Sequence, residues 1–194
     1  GNEQARLLQI ASVPLDEKAG NSQSSQVDSP SIITDAAISD DRSEDRSYRS
    51  GIHFVIDSTV SMGPYIDRTR EAVRKVYGSI AKQGLNNQVS FGLTAFRDNV
   101  EQVPELDYLT RTFVNLEQGT DETRFFSLVN TLEPSDISSR DYREDAYAGV
   151  KAAIENTQWE DFDARYVILV TDAGPRESDD SLGATGLSAK ALRQ

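Results

Sequence analysis

Asp57, Thr59 and Ser61 follow directly on the apolar run HFVI in the stretch GIHFVIDSTVSMG, so a carboxylate and two hydroxyls fall within five residues of one turn. Another aspartate, Asp172, ends a second apolar run, VILVTD. Such a set can hold a hard cation, position a nucleophile, or cap the helix that follows. A cation such as Mg²⁺ takes oxygen ligands at ~2.0–2.1 Å and keeps several of its waters. Thr59 and Ser61 would supply neutral oxygens directly, while Asp57 and Asp172 hold coordinated waters and balance charge. For capping, Asp57 and Ser61 are enough, and the chain is then a metal-free structural domain. A serine nucleophile lacks its base, because the only histidine, His53, lies mid-run upstream of the cluster. With no cysteine there is no disulfide, thiolate cluster or cysteine nucleophile.

These residues need a scaffold, and the hydrophobic patterning supplies one. HFVID and RYVILVTDAG are continuous apolar runs, as in strands covered on both faces, and QVSFGLTAFRD reads as a third strand. Tyr108 to Val114 is a weaker extended stretch. Between the runs, PYIDRTREAVRKVYGSIAKQG places Ile66, Val73, Val76, Tyr77 and Ile80 at helical spacing, opened by Pro64 and closed by Gly84. DETRFFSLVNTL predicts a short helix ended by Pro134. DYREDAYAGVKAAIEN predicts another, with Ala146, Val150, Ala153 and Ile154 on one side, and SAKALRQ begins a last one. Strands alternating with helices give an α/β fold with a mostly parallel, Rossmann-like sheet and helices on both faces. Its site lies beyond the carboxyl ends of the strands, where Asp57 and Asp172 both fall. Arg97 and Asp98 fall at that end too, where they shape the site or pair with each other. Asp179 and Asp180 read as solvated loop, and Trp159 as an anchor before the last strand.

Of the 194 residues, 37% are hydrophobic, and the formal charge is −12. That charge disfavours nucleic acid and anionic membrane as partners. No apolar run approaches the ~18–20 residues that cross a bilayer, so no direct membrane insertion is expected. Residues 1–14 read as an extended segment and 15–50 as a Ser-rich, acidic linker with too little apolar surface to order itself. Residues 51–194 are the folded domain.

IDSTVSM before an amphipathic helix, with VILVTDAG more than a hundred residues on, resembles the von Willebrand factor type A domain. That resemblance implies a metal-ion-dependent adhesion site holding Mg²⁺ or Mn²⁺. Asp57, Thr59 and Ser61 match its first motif, with threonine in place of the first serine. Thr171 and Asp172 match its last motif, with Ala173 where glycine is usual. SSRDYREDAYAGV resembles the middle loop of bacterial members, which gives Asp141 the third ligand role and makes Glu144 the following acid; Thr120 competes for the same role. The function implied is binding, with no catalysis: a protein partner donates an acidic side chain to the cation. The helix after the first motif is also similar to the C-terminal domain of bacterial type VI secretion-associated serine/threonine kinases. This narrower likeness implies a sensory or scaffold domain in the periplasm; without it, a cytoplasmic placement is as natural. The family's usual strands after the last motif are missing here. The expected exposed sheet edge invites a homodimer, or coverage by residues 7–13. Haloacid-dehalogenase-type phosphatases share a strand ending in aspartate, but they need a general acid where Thr59 stands.

Overall fold

The computed structural model describes residues 47–139 and 141–193; the expected extended segment 1–14, and the linker as far as residue 46, lie outside the described residues. The main sheet contains β1 (Ser50–Asp57), β2 (Val89–Phe96), β3 (Thr110–Val114) and β5 (Ala164–Val170), in the order β3-β2-β1-β5. β1 runs parallel to both neighbours, with Asp57 opposite Phe96 and Ile56 opposite Val170. β3 is antiparallel to β2. The helices are α1 (Ile66–Lys82), α2 (Glu122–Val129) and α3 (Ala146–Glu155). A separate two-residue ribbon pairs β4 (Arg143–Glu144) in parallel with β6 (Gly174–Pro175). The fold is therefore the α/β, mostly parallel, Rossmann-like arrangement expected.

Alternation along β1 divides the core. Phe54 and Ile56 face one way, into a cluster with Val73 and Tyr77 of α1 and Phe125 and Val129 of α2. Val55 faces the other way and packs with Phe96 against Ala146 and Ala153 of α3. Period-2 alternation on a doubly covered strand makes both sets apolar, which is why HFVI reads as unbroken. α3 comes very close to the sheet. A Cβ on Gly149 would stand 2.8 Å from both Val55 and Phe96 side chains. Behind β2, Gly119 lies directly on the Phe91 main chain.

Several expected elements differ. α2 stops at Val129, with Asn130 as its C-cap, five residues before Pro134. The predicted third helix loses its first turn: residues 141–145 form a loop and β4, because the Arg143–Glu144 backbone pairs with Gly174–Pro175 instead. Ile154 faces outward at 43% exposure, while Gly149 and Ala152 join the buried side. SAKALRQ yields only a short 3-10 turn, Ala191–Arg193. β5, the most apolar run, is half-buried and presents Tyr166 to solvent. Its place at the end of the strand order explains this, since no strand covers its outer edge among the described residues.

His53 is fully buried on the α3 side of the sheet, with Nε2 2.8 Å from Thr94 Oγ1 and Nδ1 3.3 Å from Thr157 Oγ1. Burial lowers its pKa to about 4. The folded chain thus keeps a neutral imidazole where the unfolded chain takes up a proton at a pKa of ~6.5. Stability from this group is complete above pH ~6.5 and is lost as the pH falls through about 4, by ~3 kcal/mol across the window. Urea unfolding at pH 7 and pH 4.5 should show this loss in the parent chain and a smaller one in His53→Gln. Equal pH dependence in the two proteins would exclude His53 as the cause.

Candidate metal centre

β1 delivers Asp57 to the carboxyl end of the sheet, between its two parallel neighbours β2 and β5. The carboxylate is fully buried. Its Oδ1 accepts the Thr59 backbone N–H at 2.9 Å and the Thr59 hydroxyl at 2.6 Å, and its Oδ2 accepts the Thr171 hydroxyl at 2.8 Å. Burial pushes the Asp57 pKa up; the Thr59 and Thr171 donors pull it back, and the nearby charge of Asp172 adds to the rise. Ser61 donates to Asp172 Oδ1 at 3.0 Å. Ser58, between Asp57 and Thr59 in sequence, turns away: its hydroxyl donates to the Phe96 carbonyl at 3.1 Å and lies 2.9 Å from the Tyr108 hydroxyl. The turn therefore sorts its oxygens, sending Thr59 and Ser61 to one side and Ser58 into the neighbouring strand.

The Thr59 and Ser61 hydroxyl oxygens are 3.2 Å apart. A hydroxyl carries one hydrogen. With Thr59 donating to Asp57 and Ser61 to Asp172, no hydrogen remains to place between the two oxygens. Two lone-pair oxygens thus face each other. Adjacent ligands on an octahedral ion with ~2.0–2.1 Å bonds are ~2.9 Å apart, so this pair needs little adjustment to share a cation. The donor set is all oxygen, as Mg²⁺ and Mn²⁺ prefer. Among the described residues no three His, Cys, Asp or Glu side chains form a metal-holding group by themselves, so the hydroxyls are necessary to any site here.

The expected third-loop residues are engaged by other groups. The Thr120 hydroxyl donates to its own loop, at the Glu117 carbonyl, 2.8 Å away. Its neighbour Gly119 rests on Phe91, which is paired with Ile52, five residues before Asp57 and toward the other end of β1. Asp141 is bound to Arg176, through Oδ1 at 3.0 Å and Oδ2 at 3.3 Å, and its Oδ1 also accepts the Arg143 N–H at 2.8 Å. The structure thus gathers Asp57, Thr59, Ser61 and Asp172 into one chain of contacts and gives Asp141 to a guanidinium.

Arg176 organises what the sequence reading missed. It is the only lysine or arginine buried among the described residues. It grips Asp98 through two bonds of 2.7 and 2.6 Å, and it reaches Asp180 at 3.1 Å as well as Asp141. Asp98 therefore pairs with a residue 78 positions away and not with Arg97, whose guanidinium lies over the Tyr108 ring. Asp180 likewise belongs to this brace and not to a solvated loop. The available signal was that Arg176 is the lone cation from Tyr166 to Ala189, a stretch with four acids. Beside the brace, Glu144 and Asp145 are also buried. The Ser139 hydroxyl donates to Glu144 Oε1 at 2.8 Å, while Oε2 has no hydrogen-bond partner. Burial first, then the charges of Asp57 and Asp98, push the Glu144 pKa up to about 8 against the pull of Ser139 and Arg176. Burial raises Asp145 to about 6, opposed by the Ala184 N–H that its carboxylate accepts.

No protein-family model matches the chain, and no curated protein matches it. Solved structures similar to it include the pilus adhesin SpaC from Lactobacillus rhamnosus GG in its open conformation, at 19% identity and a TM-score of 0.44. Proximal thread matrix protein 1 from the mussel byssus is similar at 15% identity and a TM-score of 0.39. The alignments cover 58% and 64% of this chain, which in turn spans 13% of the adhesin chain and 29% of the mussel chain.

Proposed function

We propose that the chain is a protein-binding module of the type that the von Willebrand factor A resemblance implies, holding Mg²⁺ or Mn²⁺ and engaging a carboxylate of a protein partner through it. The observation that carries this reading is the pair of hydroxyl oxygens of Thr59 and Ser61, 3.2 Å apart with their hydrogens committed to Asp57 and Asp172. Thr59 and Ser61 would hold the ion, and Asp57 and Asp172 would fix the two hydroxyls and its waters. The bound ion supplies a positive centre, with a coordination position for an acidic side chain, on a chain whose formal charge is −12. The phosphatase alternative requires a proton donor at Thr59, whose hydroxyl is given to Asp57.

Calorimetric titration of Mn²⁺ and Mg²⁺, at fixed ionic strength, tests the reading. Binding is expected to the parent chain, with a loss of at least ~10-fold in Asp57→Ala. If neither protein binds either ion, the cluster is a helix-entry device and the metal reading is wrong.

A further inference from the structure

Resting on that reading, we propose that Tyr108 is a positioning residue for the cation: its hydroxyl fixes Ser58, and Ser58 fixes the turn that aims Thr59 and Ser61. Ser58 is fully buried, and each of its polar groups is engaged by another part of the chain. Its N–H and its hydroxyl both donate to the Phe96 carbonyl at the end of β2, at 2.9 and 3.1 Å. Its carbonyl accepts the Ser135 N–H at 2.8 Å. The hydroxyl hydrogen is thereby used, so in the 2.9 Å contact with Tyr108 the phenol is the donor. Planar peptides join Ser58 directly to Asp57 and Thr59, so the directions those residues take follow from its own.

Backbone strain accompanies this contact. Asp107, just before Tyr108, has φ 71° and ψ −47°, and it is the only non-glycine residue at positive φ among the described residues. Across it the Tyr108 N–H donates to the Leu106 carbonyl at 2.9 Å, which closes a three-residue turn of a rare and strained kind. Such a conformation persists only where the surroundings impose it. Leu106 is buried, and its carbonyl also accepts Arg97 Nη1 at 2.6 Å. The Arg97 and Arg111 guanidiniums lie over the Tyr108 ring, 4.2 and 4.3 Å from its centroid, and Arg111 also holds Asp107 at 2.9 Å. Packing of the ring would be served equally by phenylalanine. Only the hydroxyl reaches the residue between Asp57 and Thr59.

Mn²⁺ affinity is measured by calorimetry for the parent chain, Asp57→Ala, Tyr108→Phe, Ser58→Ala and the double variant of the last two, with thermal melts to show that each is folded. Thr94→Val is the control, because its hydroxyl is equally buried but meets His53 and Thr112 instead. Tyr108→Phe and Ser58→Ala should each weaken Mn²⁺ by about 10-fold, the low end for a group outside the ligand shell. The double variant should fall within ~2-fold of Ser58→Ala, because both changes remove the same contact. Thr94→Val should melt earlier yet stay within ~2-fold of the parent in affinity. If Ser58→Ala does not fold, Tyr108→Phe alone decides. Tyr108→Phe binding within ~2-fold of the parent, with binding lost in Asp57→Ala, would overturn the positioning role and leave the metal reading standing. A loss in Thr94→Val as large as in Tyr108→Phe would overturn it too, since affinity would then merely follow stability. No binding by the parent chain would overturn both.

Discussion

Arg176→Met is expected to lower the unfolding free energy by ~3–5 kcal/mol in urea titrations at neutral pH, the largest effect of any side-chain removal near the site. The guanidinium is 2% exposed and holds Asp98, which is 5% exposed, at 2.6 Å, with Asp141 at 3.0 Å and Asp180 at 3.1 Å. Removing it leaves carboxylates from three separate loops without their cation, one of them deep in the protein. The damage lies in those stranded charges and not in the lost contact alone. The double variant Arg176→Met with Asp98→Asn should therefore cost clearly less than the sum of the two single changes. An Arg176→Met protein within ~1 kcal/mol of the parent would mean that these acids need no brace.

Gly119→Ala is expected to cost ~3 kcal/mol or more, and it tests the fold rather than the site. A Cβ there would lie 1.6 Å from the Phe91 carbonyl oxygen and 2.5 Å from its carbon. Both are main-chain atoms of a strand buried along its whole length, so no rotamer change relieves the clash. Gly78, inside α1, provides the control. Nothing lies within 4 Å of its added Cβ. Gly78→Ala should stabilise the chain by roughly 0.5–1 kcal/mol, because alanine gives up less conformational entropy in a helix. Chemical denaturation of the two variants should move in opposite directions. A mild Gly119→Ala phenotype would show that the 115–121 loop can lift off β2.

What could be read in advance follows from range. β1 and β2 are covered on both faces, so most of their residues are apolar and announce themselves in the sequence. Asp57, Thr59 and Ser61 are close in sequence, and the parallel pairing of β1 with β5 brings Asp172 to them. The rest depends on contacts that local pattern does not encode. The first turn of the predicted third helix became β4 because its partner lies some thirty residues later. Likeness of motif points to Asp141, and only the fold reveals that Arg176, 35 positions on, binds it. Burial of Glu144 was equally invisible, since its neighbours Tyr142 and Arg143 are exposed.

The two-residue ribbon of β4 and β6 has a consequence for how the rim of this site can change. It sets the distance between the loop carrying Asp172 and the loop carrying Glu144 by backbone pairing, so that spacing does not depend on what the adjacent outward side chains are. Tyr142, next to the ribbon, is 96% exposed and Arg143 is exposed as well. Exchanging either alters the exposed surface beside the ribbon while the backbone spacing of the two loops stays as it is. The spacing of the two loops and the chemistry of the exposed surface beside them are thus held by different atoms, so the outer positions can change without disturbing the ribbon.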